Sequence, residues 1–289
     1  MNGSKASSTI NPDVRTGVLL LHGLTGMPSE MRPVQKYLTQ MGCVVESPLL
    51  PGHGAGHKEL LATTWQDWVS GAKNALDELS TKCDHVVIGG LSMGALLSAM
   101  AAVDNAKVSG IIMMSTTLKY DGRASSPLQV FLPLVDLWPR VIGEMFWWTE
   151  EPPYGLRDER LQKQITKQVE AAKRGEATDF GLFRTYCGSL RQLHKLVNQF
   201  KKHAHRIECP ALVIHSLEDS MTTHKNAIAV CKLLNTNDKS VFFVSGCDHV
   251  LTLDLRRKDV ARSIGQFVIE QSYKVSPKSS RVDSAPVTV

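Results

Sequence analysis

His85-Val-Val-Ile-Gly-Gly-Leu-Ser-Met-Gly-Ala-Leu-Leu97 is the stretch on which the fold turns. Val86-Val87-Ile88 is apolar and β-branched, the pattern of a short strand buried on both faces. From Met93 to Val103 the chain becomes rich in Ala and Leu, as a buried helix is. Gly90-Leu91-Ser92-Met93-Gly94 joins the two and reads G-x-S-x-G. A chain that reverses from strand to helix so tightly has no room for side chains at the flanking positions, hence Gly90 and Gly94. The same turn holds Ser92 in a strained backbone conformation, its hydroxyl projecting above the sheet at a helix N-terminus. The pentapeptide alone recurs by chance. The strand before it and the helix after it make Ser92 a candidate nucleophile rather than a serine in a tight turn.

Further runs of the same kind lie on either side. Val18–Leu21, Val44–Glu46, His85–Ile88, Ser109–Met114, Ala211–Ile214 and Ser240–Val244 read as strands. Helical patterns separate them. Thr64-Trp65-Gln66-Asp67 resembles a capping box opening a helix to about Leu79, with Asp where Glu or Gln is usual, and Lys258–Gln271 closes the series. Strands alternating with helices of this length predict an α/β fold, a mostly parallel sheet covered by helices on both faces. The core is expected to span 14–116 and 207–273.

Between 117 and 206 the alternation fails, and no strand is expected there. The first half is apolar and aromatic (Phe131, Leu134, Leu137, Trp138, Met145, Phe146, Trp147, Trp148) and is interrupted by Pro127, Pro133 and Pro139. Two helical patterns follow, Asp158 to Arg174 and Gly181 to Lys201. Such a stretch inside an α/β sheet predicts an inserted helical cap. Most of its aromatics are expected to form the cap's own core. The polar ends, 1–13 and 274–289, hold little that could be buried and are expected to be disordered.

Composition excludes several classes. The net charge of +5 over 289 residues comes in short runs such as Arg256-Arg257-Lys258, too sparse for nucleic-acid binding. No apolar h-region marks a secretory leader, and no apolar run is long enough for stable membrane insertion, so a cytoplasmic protein is the expectation. The six cysteines show no C-x-x-C spacing and read as reduced thiols. No metal-ligand spacing is present, and no cofactor is called for.

A serine hydroxyl needs a base, and the base an orienting acid. After an elbow of this kind they follow in the order Ser, Asp, His at the C-terminal ends of later strands. Asp219 lies just beyond Ala211–Ile214, and His249 just beyond Ser240–Val244. Glu218 and Asp248 compete for the acid role. Among the nine other histidines, His22 and His53 sit in glycine-rich turns that suit structural hydrogen bonding. The oxyanion needs two donors. The backbone N–H of Met93 is one candidate, and that of Leu24, in the turn after the first strand with Gly23 bending the backbone, is the other.

Leu-Leu-Leu-His-Gly-Leu-Thr-Gly (19–26), Pro-Gly-His-Gly (51–54), Gly-Leu-Ser-Met-Gly (90–94), Glu218-Asp219 and His-Val-Leu-Thr-Leu-Asp (249–254) together resemble the small bacterial carboxylesterases and monoacylglycerol lipases of the α/β-hydrolase superfamily. The resemblance implies a Ser92–Asp219–His249 triad, an oxyanion hole at Leu24 and Met93, and an uncharged small-molecule ester as substrate. It departs in the length of the cap and in the extra residue of Gly246-Cys247-Asp248-His249. The same triad would serve a thioesterase, an acyltransferase or a carbon–carbon bond hydrolase, and a ligand receptor can keep the fold without turnover. Ser92 excludes reactions that need a carboxylate at the elbow.

Overall fold

The computed structural model describes residues 9–124, 146–174 and 184–275. The strands are β1 (Thr16–Leu21), β2 (Val44–Glu46), β3 (His85–Leu91), β4 (Val108–Met114), β5 (Trp147–Thr149), β6 (Arg184–Tyr186), β7 (Ala211–Ser216) and β8 (Lys239–Val244). Six of them form one sheet in the order β2-β1-β3-β4-β7-β8, every neighbouring pair parallel. This is the mostly parallel α/β sheet that the alternation implied, in the α/β-hydrolase fold that the resemblance implied.

The two faces follow from side-chain alternation along each strand. In β1 all residues are buried. Leu19 and Leu21 enter one core with α3 (Trp65–Lys82) and α4 (Met93–Ala102). Val18 and Leu20 enter the opposite core with α1 (Arg32–Gln40) and α8 (Arg257–Ser272). Helix α3 opens on the capping box read from sequence. Asp67 N–H donates to Thr64 Oγ1 (3.4 Å), and Asp67 Oδ2 accepts from Thr64 N–H (2.8 Å). The shorter Asp therefore completes the box, a cap worth about 1 kcal/mol.

Between β4 and β7 the structure differs from the strand-free expectation. β5 and β6 pair antiparallel, with Trp147 opposite Tyr186 and Thr149 opposite Arg184. Three residues per strand are too few to register as an alternation. The Arg184 guanidinium lies 4.3 Å from the centre of the Trp147 ring and helps hold the ribbon. Helix α5 (Glu159–Lys173) follows the ribbon's first strand. Helix α6 (Cys187–His203) starts later than the Gly181 read from sequence, because Arg184–Tyr186 are extended.

Helix α6, which falls in the stretch expected to form the inserted cap, packs on the central core. Leu190, Leu193, Leu196, Val197 and Phe200 form one helical face and join the same core as β1, α3 and α4. Pro127, Pro133, Pro139, Phe131, Leu134, Leu137, Trp138 and Met145 lie outside the described residues. So do 1–8 and 276–289. Residues 9–13, read as part of a disordered end, are instead tied down. Asn11 N–H donates to Ser272 Oγ (3.1 Å), Asn11 Nδ2 donates to Ser272 O (3.3 Å), and Ile10 packs on the α1–α8 core. All six cysteines carry free thiols. Among the described residues no helix is long and apolar enough to cross a membrane.

Candidate active site

β3 ends at Leu91 and α4 begins at Met93, leaving Ser92 alone at the corner with φ 56° and ψ −111°. A non-glycine residue in that region costs about 1–3 kcal/mol and persists only where its surroundings enforce it. Here a Cβ on Gly90 would run into the Gly94 backbone, and one on Gly94 into the Leu21 carbonyl oxygen. The Ser92 N–H donates to Met114 O (2.8 Å), carrying the β3–β4 ladder past the end of β3. Ser92 Oγ hydrogen-bonds Thr117 Oγ1 (2.9 Å).

The loop after β1 brings Leu24 to the same place. The expectation that Gly23 bends it needs correcting. A Cβ on Gly23 would meet Leu91 O and Ser92 Cβ at an ordinary 3.7 Å, and the left-handed residue is Thr25, φ 63°. Met93 puts its side chain in the core, while its N–H belongs to the first turn of α4, where no preceding helical carbonyl can take it.

His249 follows β8, and Asp219 follows β7. His249 Nδ1 lies 2.8 Å from Asp219 Oδ2. A carboxylate only accepts, so Nδ1 carries the proton and Nε2 keeps its lone pair. Asp219 Oδ1 accepts from Met221 N–H (2.9 Å) and Thr222 N–H (2.8 Å), and Oδ2 accepts from Thr222 Oγ1 (3.1 Å). Burial pushes the Asp219 carboxyl up, but the charge and hydrogen bond of His249, the His215 charge and the Thr222 N–H outweigh it and hold it below its ordinary value. For His249 burial pulls the other way, and Asp219, then the Asp248 and Glu30 charges, keep it above 6.5.

The two competing acids are engaged elsewhere. Glu218 Oε2 accepts from Gly246 N–H (3.0 Å). Asp248, the extra residue of the histidine turn, accepts from Ser220 N–H (2.7 Å), Ser220 Oγ (2.9 Å) and His249 N–H (2.8 Å), so it stitches the two loops together. His22 is fully buried. Its Nδ1 donates to Gly23 O (2.9 Å) and its Nε2 accepts from Leu50 N–H (3.2 Å). Burial, with the nearby His53, lowers His22 to about 3 and keeps it neutral. Sequence reasoning passed over His215, which lies buried with Nε2 3.4 Å from Asp219 Oδ2 and 2.9 Å from Thr222 O. A second histidine four residues before the acid, on the same strand end, was the available signal.

Ser92, His249 and Leu24 line one cavity of about 110 Å³. Tyr120, Tyr154, Met221 and Val250 give it apolar walls. Glu30 and Glu150 were not foreseen there. Glu30 Oε2 accepts from Gly23 N–H (3.2 Å), and Glu150 Oε1 accepts from Thr25 Oγ1 and Thr185 Oγ1 (3.3 Å each). Burial raises both carboxyls, that of Glu30 to about 7.

Known proteins with this plan agree in sequence and in shape. The chain is 29% identical over 238 residues to the thermostable monoacylglycerol lipase of Bacillus sp. (strain H-257), covering 82% of this chain and 84% of that one. It is 23% identical over 252 residues to the carboxylesterase of Bacillus subtilis (strain 168), covering 87% and 91%. The crystal structure of the Paleococcus ferrophilus monoacylglycerol lipase superposes with a TM-score of 0.71 at 18% identity, covering 88% of this chain and 94% of that one. A soluble variant of the Saccharomyces cerevisiae monoglyceride lipase gives 0.73 at 14%, covering 93% and 89%. Identities this low carry the fold alone. The family model described as serine aminopeptidase, S33, matches residues 12–256, most of the chain, and the protein belongs to that family of α/β-hydrolase-fold serine hydrolases.

Proposed function

We propose that the protein is a serine carboxylesterase, hydrolysing short-to-medium-chain carboxylic esters or monoacylglycerols through an acyl-enzyme. The observation that carries this reading is one cavity shared by the elbow serine and a histidine already oriented by a buried aspartate. His249 Nε2 takes the proton of Ser92 as Oγ leaves Thr117 and attacks the ester carbonyl. Asp219 holds the tautomer and stabilises the imidazolium. The N–H groups of Leu24 and Met93 receive the oxyanion, each donor worth about 3 kcal/mol in the transition state. His249 then protonates the departing alcohol and activates the water that releases the acid.

The cavity's mixed lining supports the substrate class. Tyr154, Met221 and Val250 offer apolar contact, while Glu150, Thr25 and Thr185 offer partners to the hydroxyls of a glycerol-like alcohol. We further propose that the segment between β4 and α6 acts as the cap over this cavity, since Glu150, Tyr154 and Thr185 all come from it.

The test is Ser92→Ala assayed against p-nitrophenyl esters of increasing chain length, monoacylglycerols and acyl-CoAs side by side. Hydrolysis of the esters by the wild type, lost in the variant with the fold retained, is the expected result. Full activity in Ser92→Ala overturns the nucleophile, and a preference for the CoA series overturns the ester.

A further inference from the structure

Asp254 is fully buried five residues after His249 and takes no part in the chemistry above. Among the described residues its carboxylate accepts only backbone N–H groups, and they come from different parts of the chain. Oδ1 accepts from Arg157 N–H (2.9 Å), Asp158 N–H (2.9 Å) and Leu255 N–H (2.8 Å). Oδ2 accepts from Arg157 N–H (3.0 Å) and Asp248 N–H (2.6 Å). Arg157 and Asp158 lie just before α5, in the insertion, whereas Asp248 immediately precedes the candidate base.

The same two segments meet again beside His249. Val250 N–H donates to Gly155 O (2.9 Å). Gly155 has φ 66°, and a Cβ there would lie 3.0 Å from His249 Cβ. Leu156, Ile165 and Val169 of the insertion form a small core against Val250 and Leu253 of the histidine loop. From Asp254 the connection continues through Asp248 to His249 N–H and to Ser220, next to Asp219.

We propose that Asp254 is a positioning residue for His249, locking residues 155–158 of the insertion and the histidine loop into one unit so that the base is aligned only when the insertion is seated. The proposal rests on the reading of His249 as base. An ordinary loop-capping carboxylate would affect stability alone. A positioning residue also sets the rate per folded molecule, because a misplacement of about 1 Å at a reacting group can cost on the order of 100-fold.

Asp254→Asn is the discriminating variant, because it keeps the shape and one acceptor oxygen but turns the other into a donor facing an N–H. Its kcat and KM for p-nitrophenyl acetate would be measured per serine titrated with a fluorophosphonate. The melting temperature, the acid limb of the kcat/KM–pH profile and the activity of Ser92→Ala complete the comparison. The expected result is a folded variant with kcat reduced about 10–100-fold, KM changed little and a displaced acid limb. A lowered melting temperature with wild-type kcat per titrated site overturns the positioning role while leaving the triad reading intact. An active Ser92→Ala overturns the reading beneath it. If Asp254→Asn does not fold, Gly155→Ala perturbs the same junction from the insertion side. It is expected to show the same loss of kcat, and wild-type kcat there likewise overturns the proposal.

Discussion

Glu30→Gln should make the protein more stable relative to wild type as the pH rises. Burial, opposed by the Gly23 N–H and reinforced by Glu150, carries the Glu30 carboxyl from 4.5 up to about 7. A folded-state value above the unfolded one means that the contribution to stability is fully present below about 4.5 and is lost as the pH rises through about 7. At 1.36 kcal/mol for each tenfold change in proton affinity, the penalty on the wild type grows by about 2.5 kcal/mol between pH 5 and pH 8. Glutamine has the same shape, still accepts the Gly23 N–H and does not titrate. Urea unfolding of both proteins at the two pH values gives the number directly. The stability of Glu30→Gln minus that of wild type should move in the variant's favour by about 2–3 kcal/mol from pH 5 to pH 8. A difference that is flat with pH, or that moves the other way, would refute the claim that burial holds this carboxyl well above its ordinary value.

Three further outcomes follow from the same geometry. Gly94→Ala drives a methyl group into the Leu21 carbonyl and should cost more than about 4 kcal/mol, read as loss of the cooperative thermal transition. Phe200→Ala should cost about 3–5 kcal/mol in the main unfolding transition, because α6 is part of the central core; a small early transition with the main one unmoved would show instead a separable cap. The kcat/KM profile should fall on the acid side with an apparent pKa above 6.5, since His249 acts as a base only when neutral and Asp219, Asp248 and Glu30 favour its charged form. Glu30→Gln should lower that limb, and an unchanged limb would remove Glu30 from the list.

The sheet was legible because its inner strands β1, β3, β4 and β7 are buried on both faces and so read as apolar runs. The edge strands β2 and β8 are half-buried or exposed and were read from their β-branched and aromatic residues. The candidate nucleophile, base and acid were legible for a related reason. Turns at strand ends leave short words built on Gly, Ser, Asp or His, Gly-Leu-Ser-Met-Gly and Asp248-His249 among them, between the runs that form strands and helices. The ribbon of β5 and β6 was not, since Trp147–Thr149 continues an aromatic run and Arg184–Tyr186 runs directly into a helical pattern, so neither stands out as a strand until it is paired with the other. Nor was the fate of α6. Its Leu190–Phe200 stripe shows that one face is buried, and nothing local says against what. Glu30 and Glu150 look like ordinary surface acids in sequence, and their place in the cavity is a product of tertiary packing alone.

The junction at Asp254 carries a consequence for how such enzymes can diversify. The backbone of the serine corner is braced by β1 and β4, and the inserted segment reaches Ser92 through the Thr117 hydroxyl at its very start. The histidine, by contrast, is moored to that segment at Gly155, Arg157 and Asp158. On the proposal made for Asp254, a substitute roof taken from another enzyme could vary along its length but would have to bring a compatible hinge-pin of a few residues. Without it, the graft would bind new substrates above a misaligned base.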